Sequence, residues 1–157
     1  MSKNSPLLNL EMQSNPAMLC VVRHALGQLA ESLGFSNAEC RAVVLAVDEA
    51  LTNIIKHAYG GDQGRPIRAS FRRIELPQDG KQRKALEIVL EDRGKKIDRA
   101  KWCGRPLEEV RPGGLGLHFI SECMDAVEFR RKFGKNHLRL IKLLDVRTTE
   151  KGVEEKQ

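Results

Sequence analysis

The sequence has no apolar run that approaches the ~20 residues a membrane-spanning helix requires. Residues 1–13 also lack the basic-then-apolar pattern of a secretory signal. These two absences predict a cytoplasmic protein without a membrane segment. The 157 residues fit one domain with a real hydrophobic core, and the 41% apolar content is normal for a globular protein. We expect a single domain over residues 1–147 and a charged, disordered tail over 148–157.

Metal-binding cysteine patterns are absent as well. The four cysteines form no C-x-x-C pair, and no histidine stands at a zinc-type spacing from them. Cysteine is among the residue types most often buried in proteins, so we expect reduced and mostly buried thiols. The cysteines are Cys20, Cys40, Cys103 and Cys123.

Aromatic residues make up only 4% of the sequence, which weakens the case for a nucleic-acid-binding surface. The net charge of +6 permits nucleic-acid binding, but the basic residues are scattered along the chain. Only Phe129 and Phe133 lie near a basic cluster, at 130–132, and two rings are few for stacking bases. We therefore expect no direct nucleic-acid partner, and a basic face that is solvated or meets an acidic protein or a nucleotide. A basic nucleic-acid-binding domain is the weaker alternative.

Capping and turn residues divide the chain into helices and strands. Asn15 followed by Pro16 predicts a helix start, and Gly34 predicts its end. Ser36 and Glu39 have the spacing of a capping box, which predicts a second helix that runs to about residue 59. Strand-like patterns occupy 7–12, 67–76, 86–90, 126–131 and 138–144, with turns at 77–80 and 134–136 and a short helix after the glycines at 113–116.

The order of these elements predicts the fold class. A strand, two helices, two strands, a long loop, a helix and two strands indicate an α/β (α+β) sandwich, in which helices cover one face of a mixed, mostly antiparallel sheet. The loop from 92 to 111 is polar and contains glycines and prolines. A loop of that length in a compact domain is usually functional or mobile.

The second predicted helix carries Glu49, Asn53 and His57 at intervals of four residues, which places them on one helix face. The opposite positions are apolar, so this face looks away from the main core. Apolar residues recur there at helical spacing: Val43, Val47, Ala50 and Ile54. A solvated polar face is the simple alternative. For His57, a capping or packing role near the helix end is favoured over catalysis.

Two glycine-containing segments accompany that helix. Asp92-Arg93-Gly94 ends an apolar strand, where the glycine permits a sharp turn and the carboxylate can point into a pocket; an ordinary turn is the alternative. Residues 113–117 precede a helix, whose N-terminus attracts phosphate; a flexible connection is the alternative. The motif G-x-x-x-x-G-K-[ST] is absent, which excludes a P-loop.

In this order and spacing, the three segments resemble the ATPase fold shared by gyrase, sensor histidine kinases and mismatch-repair ATPases, the GHKL superfamily. They match its N box, its first glycine box and its second glycine box. A closer resemblance, to the anti-sigma-factor serine kinases, is carried by residues 46–53 with 57–60, and by 113–117 running into 124–127. The resemblance covers roughly residues 15–144.

The resemblance implies ATP and Mg²⁺ as ligands and assigns roles by position. Glu49 would be the catalytic residue that deprotonates the attacking serine hydroxyl, and Asn53 would bind Mg²⁺ through its amide oxygen. Asp92 would accept a hydrogen bond from the adenine amino group. The other implied ATP-binding residues are Gly94, Ile97, Arg111, Gly113, Gly114, Leu115, Gly116 and Leu117. The segment 94–116 would form a lid that closes over the triphosphate.

The resemblance further implies an ATP-dependent protein serine/threonine kinase. Such a kinase phosphorylates a small anti-sigma-factor antagonist protein, sequesters a sigma factor or similar effector, and works as a cytoplasmic homodimer. The alternative is a nucleotide-binding partner-switching module without kinase activity. Glu49 favours the kinase. Lys96 favours the module, because it replaces the second glycine of D-x-G-x-G and adopts a positive φ less readily.

Overall fold

A computed structural model describes residues 5–96 and 115–145, with side chains for 5–96 and 118–145. The helices are α1 (Leu19–Ser32), α2 (Asn37–Asn53) and α3 (Leu115–Cys123). A 3-10 turn, Pro16–Met18, precedes α1, and a π-helical turn, Ile54–Ala58, extends α2. The strands are β1 (Leu8–Gln13), β2 (Pro66–Gln78), β3 (Lys81–Asp92), β4 (Ala126–Lys132) and β5 (Lys135–Leu143).

The two predicted helix starts are confirmed. The Asn15 side chain accepts a hydrogen bond from the Ala17 amide at 3.0 Å, at the start of the 3-10 turn that leads into α1. At the start of α2, the Glu39 amide donates to Ser36 Oγ at 3.2 Å, and the Ser36 amide donates to Glu39 Oε2 at 2.7 Å. These bonds satisfy amides that a helix start otherwise leaves unpaired.

Both predicted hairpins form, but one turn is displaced from its predicted position. Asp79 and Gly80 have φ angles of 52° and 74°, the two positive values that a tight hairpin turn requires. In the second hairpin the positive values fall on Phe133 and Gly134, at 52° and 73°. The predicted turn at 134–136 is therefore wrong in register, and Asn136 belongs to β5.

The five strands form one sheet in the order β1-β2-β3-β5-β4. The predicted α+β class, with helices packed on a sheet, is confirmed. The sheet is not mixed as expected, because all four strand pairings among the described residues are antiparallel. Two of these pairings are hairpins, and the two-helix connection from β1 to β2 also returns the chain in the opposite direction.

The helix-covered face of the sheet is apolar in its middle and polar at one end. Strand register aligns one row as Leu8, Phe71, Ile88, Leu140 and Val127, and the next as Leu10, Ala69, Leu90, Leu138 and Phe129. The third row is Met12, Ile67, Asp92, Asn136 and Arg131. Because α2 packs between α1 and α3 with its apolar residues buried, the predicted apolar helix face is confirmed.

Three cysteines fall within the described residues, and all three are free thiols. Cys20 is exposed, while Cys40 and Cys123 are partly exposed. The expectation of mostly buried thiols is therefore wrong for these three. Across 5–96 and 115–145, no helix combines the length and the apolar content needed to cross a bilayer.

Candidate functional site

The last two turns of α2 present two of the predicted site residues. Glu49 and Asn53 are both partly buried. The Glu49 carboxylate has no hydrogen bond or ion pair with any described residue. Asn53 Nδ2 is buried, and no described residue provides it with a hydrogen-bond partner. An unsatisfied buried donor costs roughly 1–3 kcal/mol, so this position favours a ligand that can pair with the amide.

A π-helical turn follows Asn53 directly. The Tyr59 amide donates to the Ile54 carbonyl at 2.9 Å, the five-residue spacing that defines such a turn. His57 lies within this wider turn, and it is exposed. Single π turns within helices occur frequently at functional sites.

Asp92 ends β3 as a buried, hydrogen-bonded carboxylate that is 2% exposed. Its Oδ1 accepts hydrogen bonds from the Gly94 amide at 2.8 Å and from Asn136 Nδ2 at 2.9 Å. Burial raises the pKa of Asp92, and the bonds from Asn136 and Gly94 and the charge of Arg131 oppose that rise without cancelling it. Two donors on one oxygen fix the carboxylate orientation.

The turn after Asp92 lies against the end of the π turn. A Cβ on Gly94 would stand 2.5 Å from the Ala58 carbonyl oxygen, so only glycine permits this approach. The Lys95 amide donates to the same oxygen at 2.9 Å. The Tyr59 hydroxyl accepts from the Arg93 amide at 2.8 Å and donates to the Pro66 carbonyl. The segment that continues α2 and the Asp92 turn are therefore joined by backbone contacts.

Sequence reasoning missed Asn136 and Arg131. Asn136 is 1% exposed, and its Nδ2 donates to Asp92 Oδ1 and to the Lys95 carbonyl, each at 2.9 Å. Arg131 Nη1 donates to Asn136 Oδ1 at 2.7 Å and to the Gly94 carbonyl at 3.0 Å. Two-residue alternation would have revealed Asn136, because it shares a strand face with the apolar positions 138 and 140. Its proximity to Gly134 suggested a turn instead.

Several predicted positions fall where the structure is not described. Ile97, Arg111, Gly113 and Gly114 lie outside the described residues, as do most of the predicted lid at 94–116 and the tail at 148–157. Leu115, Gly116 and Leu117 form the start of α3, so the predicted helix is present but begins before the last of the glycines, and it packs beside α2.

Lys96 stands where the resemblance expects the second glycine. Within 5–96 and 115–145 only Asp79 and Phe133 combine a side chain with a positive φ. Lys96 therefore keeps an ordinary backbone conformation. Its replacement of glycine imposes no left-handed strain on the turn.

The residues present fit the two ligands that the resemblance implies. Asn53 Nδ2, unpaired among the described residues, suits an acceptor such as a phosphate oxygen of ATP, and the amide oxygen of Asn53 is a ligand type that Mg²⁺ accepts. Asp92 is an oriented acceptor, as an adenine amino group requires, and the lack of a side chain at Gly94 lets the same turn pack on Ala58.

Comparisons with known proteins concern the sequence and the overall fold. The sequence profile of the family described as "Histidine kinase-like ATPase domain" matches residues 12–142. The serine-protein kinase RsbW of Oceanobacillus iheyensis is 29% identical over 139 residues, which cover 83% of each chain. RsbW of Halalkalibacterium halodurans is 30% identical over 122 residues, 73% of this chain and 69% of that one. A chain of the SiaB–SiaC complex from Pseudomonas aeruginosa superposes with a TM-score of 0.57 at 15% identity, covering 91% of this chain and 93% of that one, which shows a shared fold.

Proposed function

The chain belongs to the histidine kinase-like ATPase domain family, and from that membership we propose that it is an ATP-dependent serine/threonine-protein kinase of the anti-sigma-factor type. Its RsbW relatives, which are serine-protein kinases, match most of its length. The observation that carries the proposal is the contact between the buried Asp92 turn and the end of the helix that bears Glu49 and Asn53.

The adenine end of the proposed site is the Asp92 turn. Because Oδ1 is already bonded to Gly94 and Asn136, we assign Oδ2 as the acceptor for the adenine amino group. Gly94 is proposed to lie against the base, while its lack of a Cβ lets the turn pack closely on Ala58. Ile97, the next apolar position in the sequence, is proposed to pack against the base.

The phosphate end of the proposed site uses α2 and the start of α3. Asn53 would hold Mg²⁺ through its amide oxygen, and the ion would neutralise phosphate charge. Residues 113–117 would bring backbone amides and a helix N-terminus to the phosphates. Arg111 is proposed to add a positive charge at the same end. Phosphoryl transfer depends mainly on positioning and charge neutralisation, so this small set of groups is sufficient.

Glu49 is the proposed general base. Its carboxylate takes the proton from a serine hydroxyl of the protein substrate while that oxygen bonds to the γ-phosphorus of ATP. The bond from the γ-phosphorus to the bridging oxygen breaks, and ADP leaves with that electron pair. Glu49 suits this role because no described residue occupies its carboxylate. It stands one helical turn before Asn53, on the same side of α2.

The proposed partners are proteins. We propose a small anti-sigma-factor antagonist as the phosphorylated substrate, a sigma factor or similar effector as the sequestered partner, and a homodimer as the working form in the cytoplasm. ATP and ADP would bias the choice between partners if they differ in affinity for the two partner-bound states.

A phosphoryl-transfer assay tests the kinase proposal. The purified chain is incubated with γ-labelled ATP, Mg²⁺ and an antagonist encoded beside it, and label on serine is measured with and without EDTA. We expect Mg²⁺-dependent labelling of a single serine. Nucleotide binding without any transfer would replace the kinase with a partner-switching module, and absence of nucleotide binding would overturn the proposed site.

A further inference from the structure

We propose that Asn136 is a positioning residue for adenine recognition, and that Arg131 holds it in place. Asn136 fixes the Asp92 carboxylate and the backbone of the following turn in the arrangement that reads the base. This inference rests on the proposed ATP-binding function, and it assigns a role to two residues outside the three motifs of the family resemblance.

The hydrogen-bond inventory of Asn136 supports an indirect role. A primary amide has two donor hydrogens, and Nδ2 uses both of them, on Asp92 Oδ1 and on the Lys95 carbonyl. A longer contact of 3.4 Å reaches the Gly94 carbonyl. Asn136 therefore has no free donor for the nucleotide, and its influence on the base passes through Asp92.

Arg131 reinforces the orientation of the Asn136 amide that the acceptors on Asp92 and Lys95 also require. The two orientations of an asparagine amide are nearly alike in shape, so a neighbouring donor or acceptor must select one. Arg131 Nη1 requires an acceptor at 2.7 Å, which places Oδ1 toward Arg131 and Nδ2 toward Asp92. Arg131 also donates to the Gly94 carbonyl, so one guanidinium binds both Asn136 and the turn that follows Asp92.

These bonds account for a turn that lacks its second glycine. The Lys95 amide is bonded to the Ala58 carbonyl and the Lys95 carbonyl is bonded to Asn136, so the peptide groups on both sides of Lys95 are held. Side-chain hydrogen bonds thus maintain the path of the chain into Lys96. The opposing explanation is that Asn136 is a buried polar group with a structural role alone.

Nucleotide selectivity separates these two explanations. Calorimetry would measure the Kd of ADP and of purine riboside 5′-diphosphate, which is ADP without the exocyclic amino group. A hydrogen bond to a carboxylate predicts that wild type prefers ADP by about 10- to 100-fold. In Asn136→Leu we expect ADP to weaken much more than the analogue, so that the preference falls below about threefold. Asn9→Leu is the matched control, because Asn9 is exposed on β1 at the far side of the sheet, and its preference should equal that of wild type.

The outcomes distinguish this inference from the proposed function. An unchanged preference in Asn136→Leu, or an equal loss for both nucleotides, overturns the positioning role. Wild type that binds neither nucleotide overturns the ATP site itself. If Asn136→Leu does not fold, Arg131→Met carries the test, since Arg131 is exposed and its removal takes away the bonds to Asn136 Oδ1 and to the Gly94 carbonyl. In Arg131→Met we expect the preference for ADP over the analogue to fall by about threefold, which corresponds to the loss of one modest hydrogen bond. An unchanged preference overturns the inference.

Discussion

The two ends of α2 differ in how completely their polar groups are paired. At the N-terminal end, Ser36 and Glu39 bond reciprocally to each other's backbone amides. At the C-terminal end, the helix widens into a π turn, and neither Asn53 Nδ2 nor the Glu49 carboxylate has a partner among the described residues. One end is arranged for folding stability. The other accepts a cost in stability and presents polar groups to a ligand.

Glu49→Gln tests the unpaired end with the largest expected effect. The amide keeps the size of the side chain but cannot accept the serine proton, so transfer should slow by about 10²–10⁴-fold while ATP binding stays near normal. Initial rates and calorimetry measure the two quantities. Glu39→Gln at the paired end makes the same chemical change and should keep the wild-type rate, because glutamine also completes a capping box. Equal losses of rate and affinity in Glu49→Gln would make Glu49 structural.

Asp92→Asn extends the comparison to the turn that packs on this end. The new amide must keep its oxygen toward Gly94 and Asn136, which turns its NH₂ toward the adenine amino group. ATP and ADP should both weaken, by roughly 1.5–3 kcal/mol. Unchanged calorimetric affinity for both nucleotides would remove Asp92 from the adenine site.

The folding stability of the nucleotide-free Asp92→Asn variant should not fall, in contrast to its nucleotide affinity. Because burial raises the folded-state pKa of Asp92, the folded chain holds that proton more tightly than the unfolded chain. Stability therefore falls as the pH rises through the folded-state pKa. The neutral side chain of the Asp92→Asn variant escapes this cost, so urea unfolding of that variant at neutral pH should show no loss of stability. A marked loss would mean that the carboxylate is structural.

Gly94→Ala tests the contact that joins the turn to the helix end. The added Cβ would stand 2.5 Å from a backbone oxygen, which cannot move aside as a side chain can. We expect the free energy of unfolding to fall by about 1–3 kcal/mol. Gly64→Ala is the control, because its Cβ would meet only a side-chain oxygen at an ordinary 3.7 Å. Equal unfolding midpoints in urea for the two variants would contradict the close approach.

Ser36→Ala and Asn53→Ala compare the two ends directly and have the smallest expected effects on folding. Loss of the Ser36 cap should lower the free energy of unfolding by about 1 kcal/mol and leave nucleotide affinity unchanged. Asn53→Ala removes an amide whose donor has no described partner, so stability should not fall, while the Mg²⁺-dependent part of nucleotide binding should weaken. Excess Mg²⁺ should partly restore that binding. An Asn53→Ala loss of stability as large as that of Ser36→Ala would contradict the comparison.

Local chemistry made much of the fold predictable. The bonds at Asn15, Ser36 and Glu39 involve residues no more than three positions apart, and the hairpin at Asp79 and Gly80 depends on two neighbouring backbone angles. Such features need no knowledge of distant contacts. The positions of the strands were also predictable, because β1 and β2 alternate between more and less buried side chains and the middle of β3 is largely apolar.

The remainder depends on contacts between distant residues. The π turn at 54–58 could not be predicted from the sequence. Apolar periodicity does not distinguish backbone hydrogen bonds that span five residues from those that span four. Asn136 is separated from Asp92 along the chain, and only the register between β3 and β5 brings them together. The same contact explains why the turn can accommodate Lys96 in place of the expected glycine. Asn136 bonds to the Lys95 carbonyl and so holds the backbone that leads into Lys96.

The strand order also has a consequence for the kinetics of folding. At the edge of the sheet, β1 pairs with β2 from Leu8 opposite Phe71 to Gln13 opposite Pro66, and both α1 and α2 lie between these strands in the chain. Closing so long a loop costs more entropy than closing the hairpins β2–β3 and β4–β5, and pairings between distant segments slow folding. We therefore expect β1 to join the sheet after the hairpins have formed. In native-state hydrogen exchange, its amides should open before those of the central strand β3.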